Sequence, residues 1–173
     1  LMLTKPLGMG ILSTALKKGC LSPEHQELAP TQMCILNKIG PELARLPGVH
    51  AMTDVTGFGL LGHLREMCEG SGLVARIRAQ DVPRLEAVDT YVAHGCVPGG
   101  TRRNFESYGH LVSTLSAGER ALLCDPQTSG GLLIAVDPSA VDAVQAIVSR
   151  SGRSIHAFGE MGHGGVTPLI TVH

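Results

Sequence analysis

An apolar run from Val49 to Met52 leads into a carboxylate at Asp54, and two glycines follow at once in Asp54-Val55-Thr56-Gly57-Phe58-Gly59. The next segment, Leu60-Leu61-Gly62-His63-Leu64-Arg65-Glu66-Met67, reads as a helix. A strand, a tight turn and a helix start thus share one short stretch. Glycine lets the backbone bend sharply and lets a ligand approach where a Cβ would stand in the way. The first amides of a helix have no partner within it and favour an anion. An acidic side chain beside such a turn suits Mg²⁺ carrying phosphate, since that ion is held by one or two carboxylates plus phosphate oxygens. The alternative is an Asp that caps an ordinary strand-to-helix loop.

A second loop has the same character. Cys124-Asp125-Pro126-Gln127-Thr128-Ser129-Gly130-Gly131 precedes the uninterrupted apolar run Leu132-Leu133-Ile134-Ala135-Val136, which reads as a buried strand. Asp-Pro starts a turn, and Thr128, Ser129 and the two glycines gather hydroxyls and bare amides that suit an anion. The same string also serves as a plain turn into a central strand. Two further candidates for phosphate or nucleotide lie elsewhere. Lys5 ends the first apolar run, either as a point charge for phosphate or as a strand-end lysine. Arg102 and Arg103 sit side by side in the polar segment Val97 to Ser107, which reads as a loop; Arg suits bidentate phosphate binding, and a solvated loop is the alternative.

A coarse pass gives alternating strands and helices. Strands are expected at Leu1–Thr4, Val74–Ile77, Ile155–Met161 and Val166–Val172, the last two joined by His163-Gly164-Gly165. Helices are expected at Gly8–Lys18, from Ser22-Pro23-Glu24, at Pro30–Leu46 with Pro41 kinking or dividing it, at Val82–His94 and at Ala140–Val148. The sum is an α+β domain in α/β layers, a mixed sheet of about six strands flanked by helices. A length of 173 residues suits one domain spanning residues 1–173. Aromatics make only 3% of the chain, so its core is aliphatic.

A formal net charge of -1 provides no field for nucleic acid or an anionic membrane, and no apolar stretch approaches the roughly 18 residues that span a bilayer. Five cysteines are scattered singly, a pattern of reduced thiols in the cytoplasm. The histidines show no zinc spacing. His63, on the helix after the glycine turn, reads as a structural or surface residue and not a ligand; His156, His163 and His173 are weaker candidates still.

The strings DVTGFGLLGHLREM, PGGTRRN and DPQTSGGLLIAV, with the opening LTKPLGMG, resemble selenophosphate synthetase (selenide, water dikinase). The match is to the C-terminal domain of that family, in the superfamily of aminoimidazole ribonucleotide synthetase, and runs from Leu3 to near Val172. It implies a mixed sheet of the superfamily's C-terminal type, partly similar to a ferredoxin-like arrangement. It also implies a whole enzyme that converts ATP, selenide and water to selenophosphate, AMP and orthophosphate, with Mg²⁺ as cofactor and a homodimer as assembly. Asp54 matches the family's metal-binding Asp in this domain. Lys5, Arg102, Arg103, Thr128 and Ser129 are phosphate or nucleotide candidates by chemistry alone. Met9 stands where the family pattern more often has Thr, so Gly8-Met9-Gly10 is assigned no role. The family's reactive Cys or selenocysteine, its Lys and its glycine-rich stretch belong to a preceding domain. The expectation is therefore a domain of a larger enzyme, with no catalytic residue of its own and inactive alone. Another ATP-dependent enzyme of the superfamily and a stand-alone nucleotide- or partner-binding module are the alternatives.

Overall fold

The computed structural model describes residues 1–165 and 167–173. Their strands are β1 (Met2–Leu3), β2 (Val49–Asp54), β3 (Val74–Ile77), β4 (Leu132–Val136), β5 (Gly159–Gly162) and β6 (Ile170–Val172). Their helices are α1 (Met9–Lys17), α2 (Leu28–Cys34), α3 (Gly40–Leu43), α4 (Gly59–Ser71), α5 (Val88–Ala93), α6 (Gly99–Tyr108), α7 (Ala117–Leu123) and α8 (Val141–Ser149).

The single mixed sheet of the sequence reading is two sheets of three strands. The first has the order β1-β4-β2 and is antiparallel throughout, with Asp54 opposite Leu132 and Leu3 opposite Leu133. The second has the order β5-β3-β6, antiparallel on one side and parallel on the other. β5 and β6 therefore do not pair with each other; β3 lies between them. The division follows from α4, which packs against β2 and β4 of one sheet and β3 and β6 of the other. Its Leu60, Leu61, Leu64 and Cys68 are all fully buried.

The apolar run of β4 is covered on both faces, as a continuous hydrophobic strand should be. Leu133 points into the main core with Leu3, Ile11, Leu64 and Phe158. Leu132 and Ile134 point the other way, into a smaller core with Met2, Leu43, Val144 and Val148. The chemistry-bearing loops emerge where β1 and β2 end and β4 begins, at one end of this sheet.

Several helices depart from the apolar pattern. The helix expected over Pro30–Leu46 is divided, as Pro41 allows, into α2 and α3, with Pro41 in the first turn of α3, where a missing amide costs nothing. The helix expected from Val82 shrinks to α5, because Leu85 and Pro83 form a backbone bridge with Leu7. The polar loop expected at Val97–Ser107 is α6. Thr101, Asn104 and Tyr108 form its buried face, a stripe too polar for apolar periodicity to detect. No element is expected over α7, yet a capping box announces it: Ser116 accepts from the Glu119 amide and Glu119 accepts from the Ser116 amide. The last strand expected, Val166–Val172, contains Val166, which lies outside the described residues; β6 covers its end.

Candidate functional site

All the strings singled out above, the opening LTKPLGMG included, converge on one end of the first sheet. The loop after β2 is zipped to the loop before β4: Val55 N donates to Gly131 O at 2.8 Å and Gln127 N donates to Thr56 O at 3.0 Å. Asn104, from α6, joins the same two loops by donating to Gly57 O at 2.9 Å and to Cys124 O at 3.0 Å. Tyr108 Oη donates to Phe58 O at 2.6 Å, and burial pushes its phenol well above the ordinary range. Two glycines make the approach possible. A Cβ on Gly130 would stand 2.0 Å from Val55 O, and one on Gly131 would stand 2.4 Å from Lys5 N.

Asp54 is exposed at the tip of β2. The capping alternative does not hold. α4 begins at Gly59 after an N-cap at Phe58, and no side chain caps it. Among the described residues the Asp54 carboxylate makes no hydrogen bond or ion pair. Nor do three or more His, Cys, Asp or Glu residues cluster in a way that would enclose a metal. One uncommitted carboxylate fits Mg²⁺ as a single donor among phosphate and water oxygens.

Thr128 and Ser129 are exposed at the same end, and Ser129 adopts φ 54°, a left-handed conformation unusual for a side-chain-bearing residue. Lys5 holds it there. Lys5, only 2% exposed as a residue, donates from its ammonium to Ser129 O at 2.5 Å, and burial with the nearby Arg153 cation lowers its pKa. Lys5 thus sits beneath the loop instead of facing solvent. Arg102 and Arg103 are exposed on α6. Arg102 Nε lies 3.6 Å from Glu106 Oε1, and Arg102 lines a groove of about 830 Å³ with Val92, Val97 and Phe105 to which Asp54 does not contribute, so PGGTRRN joins the site through Asn104.

His63 is structural, as expected. Its Nε2 accepts from the Thr56 amide at 3.1 Å, which leaves Nδ1–H to donate to Glu66 Oε2 at 3.2 Å. The ring therefore braces the turn from inside.

Asp125 and Gln127 carry a role the sequence reading missed. Gln127 Oε1 accepts from Met9 N at 3.3 Å and Asp125 Oδ2 accepts from Gly10 N at 3.0 Å, so the second loop caps α1. The amides of Met9 and Gly10 are filled by protein, and Met9's side chain is core. The signal was a helix whose N-cap, Gly8, has no side chain to do the work. Burial pushes the Asp125 carboxyl from 3.8 up to about 7, against the opposing pull of Gln127 and the Gly10 amide. The folded state then keeps a proton that the unfolded chain releases, so stability falls as pH rises from about 4 to about 7, by at most about 1.4 kcal/mol per pH unit. Melting curves across that window should show this slope in the native chain and a shallower one in Asp125→Asn, which keeps the cap without the titration. Parallel slopes would contradict it.

A family model described as AIR synthase related protein, C-terminal domain, matches residues 1–170. The chain belongs to the AIR synthase related family, as its C-terminal domain. Relatives called "Selenide, water dikinase" from Yersinia pseudotuberculosis and Aeromonas hydrophila are 60% and 58% identical to this AIR synthase related domain over 161 residues, 93% of the chain. The chain spans 46% and 47% of those relatives, about half their length. Among solved structures, thiamine-monophosphate kinase from Stenotrophomonas maltophilia K279a superposes with a TM-score of 0.66 at 15% identity, over 99% of this chain and 48% of that one. Hydrogenase maturation protein HypE in complex with ATP gives 0.65 at 16%, over 99% and 46%. These two share the α+β fold with the domain. No helix among the described residues is long and apolar enough to cross a membrane.

Proposed function

We propose that this chain is the C-terminal domain of a selenide, water dikinase, a cytoplasmic homodimer that converts ATP, selenide and water to selenophosphate, AMP and orthophosphate. The observation that carries the proposal is the 60% identity to a relative of that name across 93% of the chain. The kinases and maturation proteins at 15–16% identity share only the fold, which favours the selenide branch over its superfamily neighbours.

In this reading Asp54 would hold Mg²⁺ through its carboxylate, and the ion would supply charge neutralisation for the phosphate oxygens of ATP. The uncommitted state of that carboxylate supports the assignment. The exposed Thr128 and Ser129 hydroxyls face the same end of the sheet and serve as phosphate contacts. Lys5 fixes the shape of their loop from below. Arg103 remains a phosphate candidate, whereas Arg102, paired with Glu106, is the weaker one.

The test uses the full-length protein with ATP, Mg²⁺ and hydrogen selenide, followed by ³¹P NMR. Equal amounts of selenophosphate, AMP and orthophosphate are expected, with no ATP loss when selenide is omitted. Turnover that requires thiamine monophosphate or an amide substrate instead of selenide would overturn the assignment.

A further inference from the structure

The C-terminal ends of α1 and α5 are built alike. Each is followed by a glycine in the left-handed region, Gly19 at φ 70° and Gly95 at φ 72°. The next residue in each case is a cysteine. Gly19 N donates to Leu16 O and Cys20 N to Ala15 O at 3.0 and 3.1 Å; Gly95 N donates to Val92 O and Cys96 N to Tyr91 O at 2.9 and 2.8 Å. These are two Schellman closures, which glycine alone adopts without strain. The backbone therefore dictates where each thiol goes.

α1 and α5 pack against each other, so the two closures meet. Cys20 Sγ lies 3.2 Å from Cys96 Sγ, across 76 residues of chain. Lys18 Nζ spans the same junction, donating to Gly95 O at 2.8 Å. Cys20 is exposed and Cys96 is buried, so one thiol meets solvent and the other waits behind it. The remaining cysteines are different. Cys68 and Cys124 are buried, with thiols pushed up to about 11, and Cys34 is exposed.

We propose that Cys20 and Cys96 are a dithiol modification site that closes to a disulfide when the protein meets a low-molecular-weight disulfide such as oxidised glutathione. The exposed Cys20, as thiolate, attacks one sulfur of the small disulfide. That S–S bond breaks, one glutathione thiolate leaves, and it takes up the proton Cys20 released. The Cys96 sulfur, after losing its own proton, attacks Cys20 Sγ and expels the second glutathione, which takes that proton. The protein loses two hydrogens and two electrons; the oxidised glutathione becomes two thiols. Closure needs the sulfurs to approach by only about 1.2 Å, from contact to a bond near 2.05 Å. Dithiols of this kind in reducing compartments act as redox sensors. The bond would tie down one end of α1 while Asp125 and Gln127 hold the other, coupling oxidation to the helix on which the second loop rests.

The experiment treats the full-length protein with oxidised glutathione in its folded state, alkylates the remaining thiols and digests with trypsin. Residues 19–38 should be recovered joined to residues 85–102, lighter by two hydrogens than the sum of the free peptides. The link should persist in Cys34→Ser, which shares a peptide with Cys20, and vanish in Cys20→Ser. Oxidation should also raise the melting temperature on the order of 10 °C, the effect of closing a long loop in a domain of this size. Glutathione retained on Cys20 with Cys96 still open to alkylation after unfolding, or a link that survives in Cys20→Ser, would overturn the proposal.

Discussion

Replacing Asp54 by Asn in the full-length enzyme is expected to lower selenide-dependent AMP formation by about 100-fold or more while leaving the melting curve unchanged. The size follows from the usual effect of removing a preorganised electrostatic group from a phosphoryl-transfer or acyl-transfer site. The stability half follows from position. Asp54 is exposed, its carboxylate has no protein partner among the described residues, and the helix beyond it starts after Phe58. Asn keeps the size of the side chain and removes only the charge that a divalent cation needs. Near-native turnover in this variant would remove Asp54 from the metal shell. A large drop in melting temperature would instead give it a structural role that the geometry does not show.

The largest stability effect is expected at Gly130. Its missing Cβ leaves room for Val55 O, which a methyl group would approach to 2.0 Å, with Gln127 Cβ at 3.0 Å on another side. The obstacle is backbone, and it is pinned, because Val55 N is bonded to Gly131 O. Neither loop can retreat without unzipping the other. Gly130→Ala should therefore cost roughly 3 kcal/mol, the upper end of overpacking, and lower the melting temperature by roughly 10 °C. Gly70→Ala is the matched control. That position lies inside α4 with nothing within 4 Å of its Cβ, so alanine should stabilise the chain by up to about 1 kcal/mol through helix propensity. Equal melting temperatures for the two variants would contradict the packing of loop on loop.

Much of this arrangement is legible in the residues, and the remainder fails for identifiable reasons. β3 and β4 fall where the apolar runs place them, and α1 and α8 where the helical stripes do, because those signals are local. The partition into two sheets is not local. It depends on α4 covering both, which no window of sequence contains. α6 is hidden because its inner face uses Thr101, Asn104 and Tyr108, whose value lies in what they bond to. The cap of α1 comes from Asp125, 115 residues away from Gly10, so it is invisible to any reading of the helix itself. Lys5 illustrates the same limit. A lysine at a strand end looks available for phosphate, and only the fold shows the Ser129 carbonyl above it. His63 is read correctly because the reading rests on the lack of ligand spacing, a property of the sequence alone.

The central claim is that Asp54 contributes a ligand to a divalent metal held together with ATP. Mn²⁺ replaces Mg²⁺ in such oxygen sites and reports its own binding, since free Mn²⁺ has a sharp EPR signal that is lost on complexation. Titration of the full-length protein with Mn²⁺ and ATP, read against the same titration with ATP alone because ATP also complexes the ion, should show protein-bound metal that weakens at least about tenfold in Asp54→Asn, a loss of roughly 1.4 kcal/mol. The Asp125→Asn variant should bind as the native protein does. Equal Mn²⁺ affinity in the native and Asp54→Asn proteins would contradict the account.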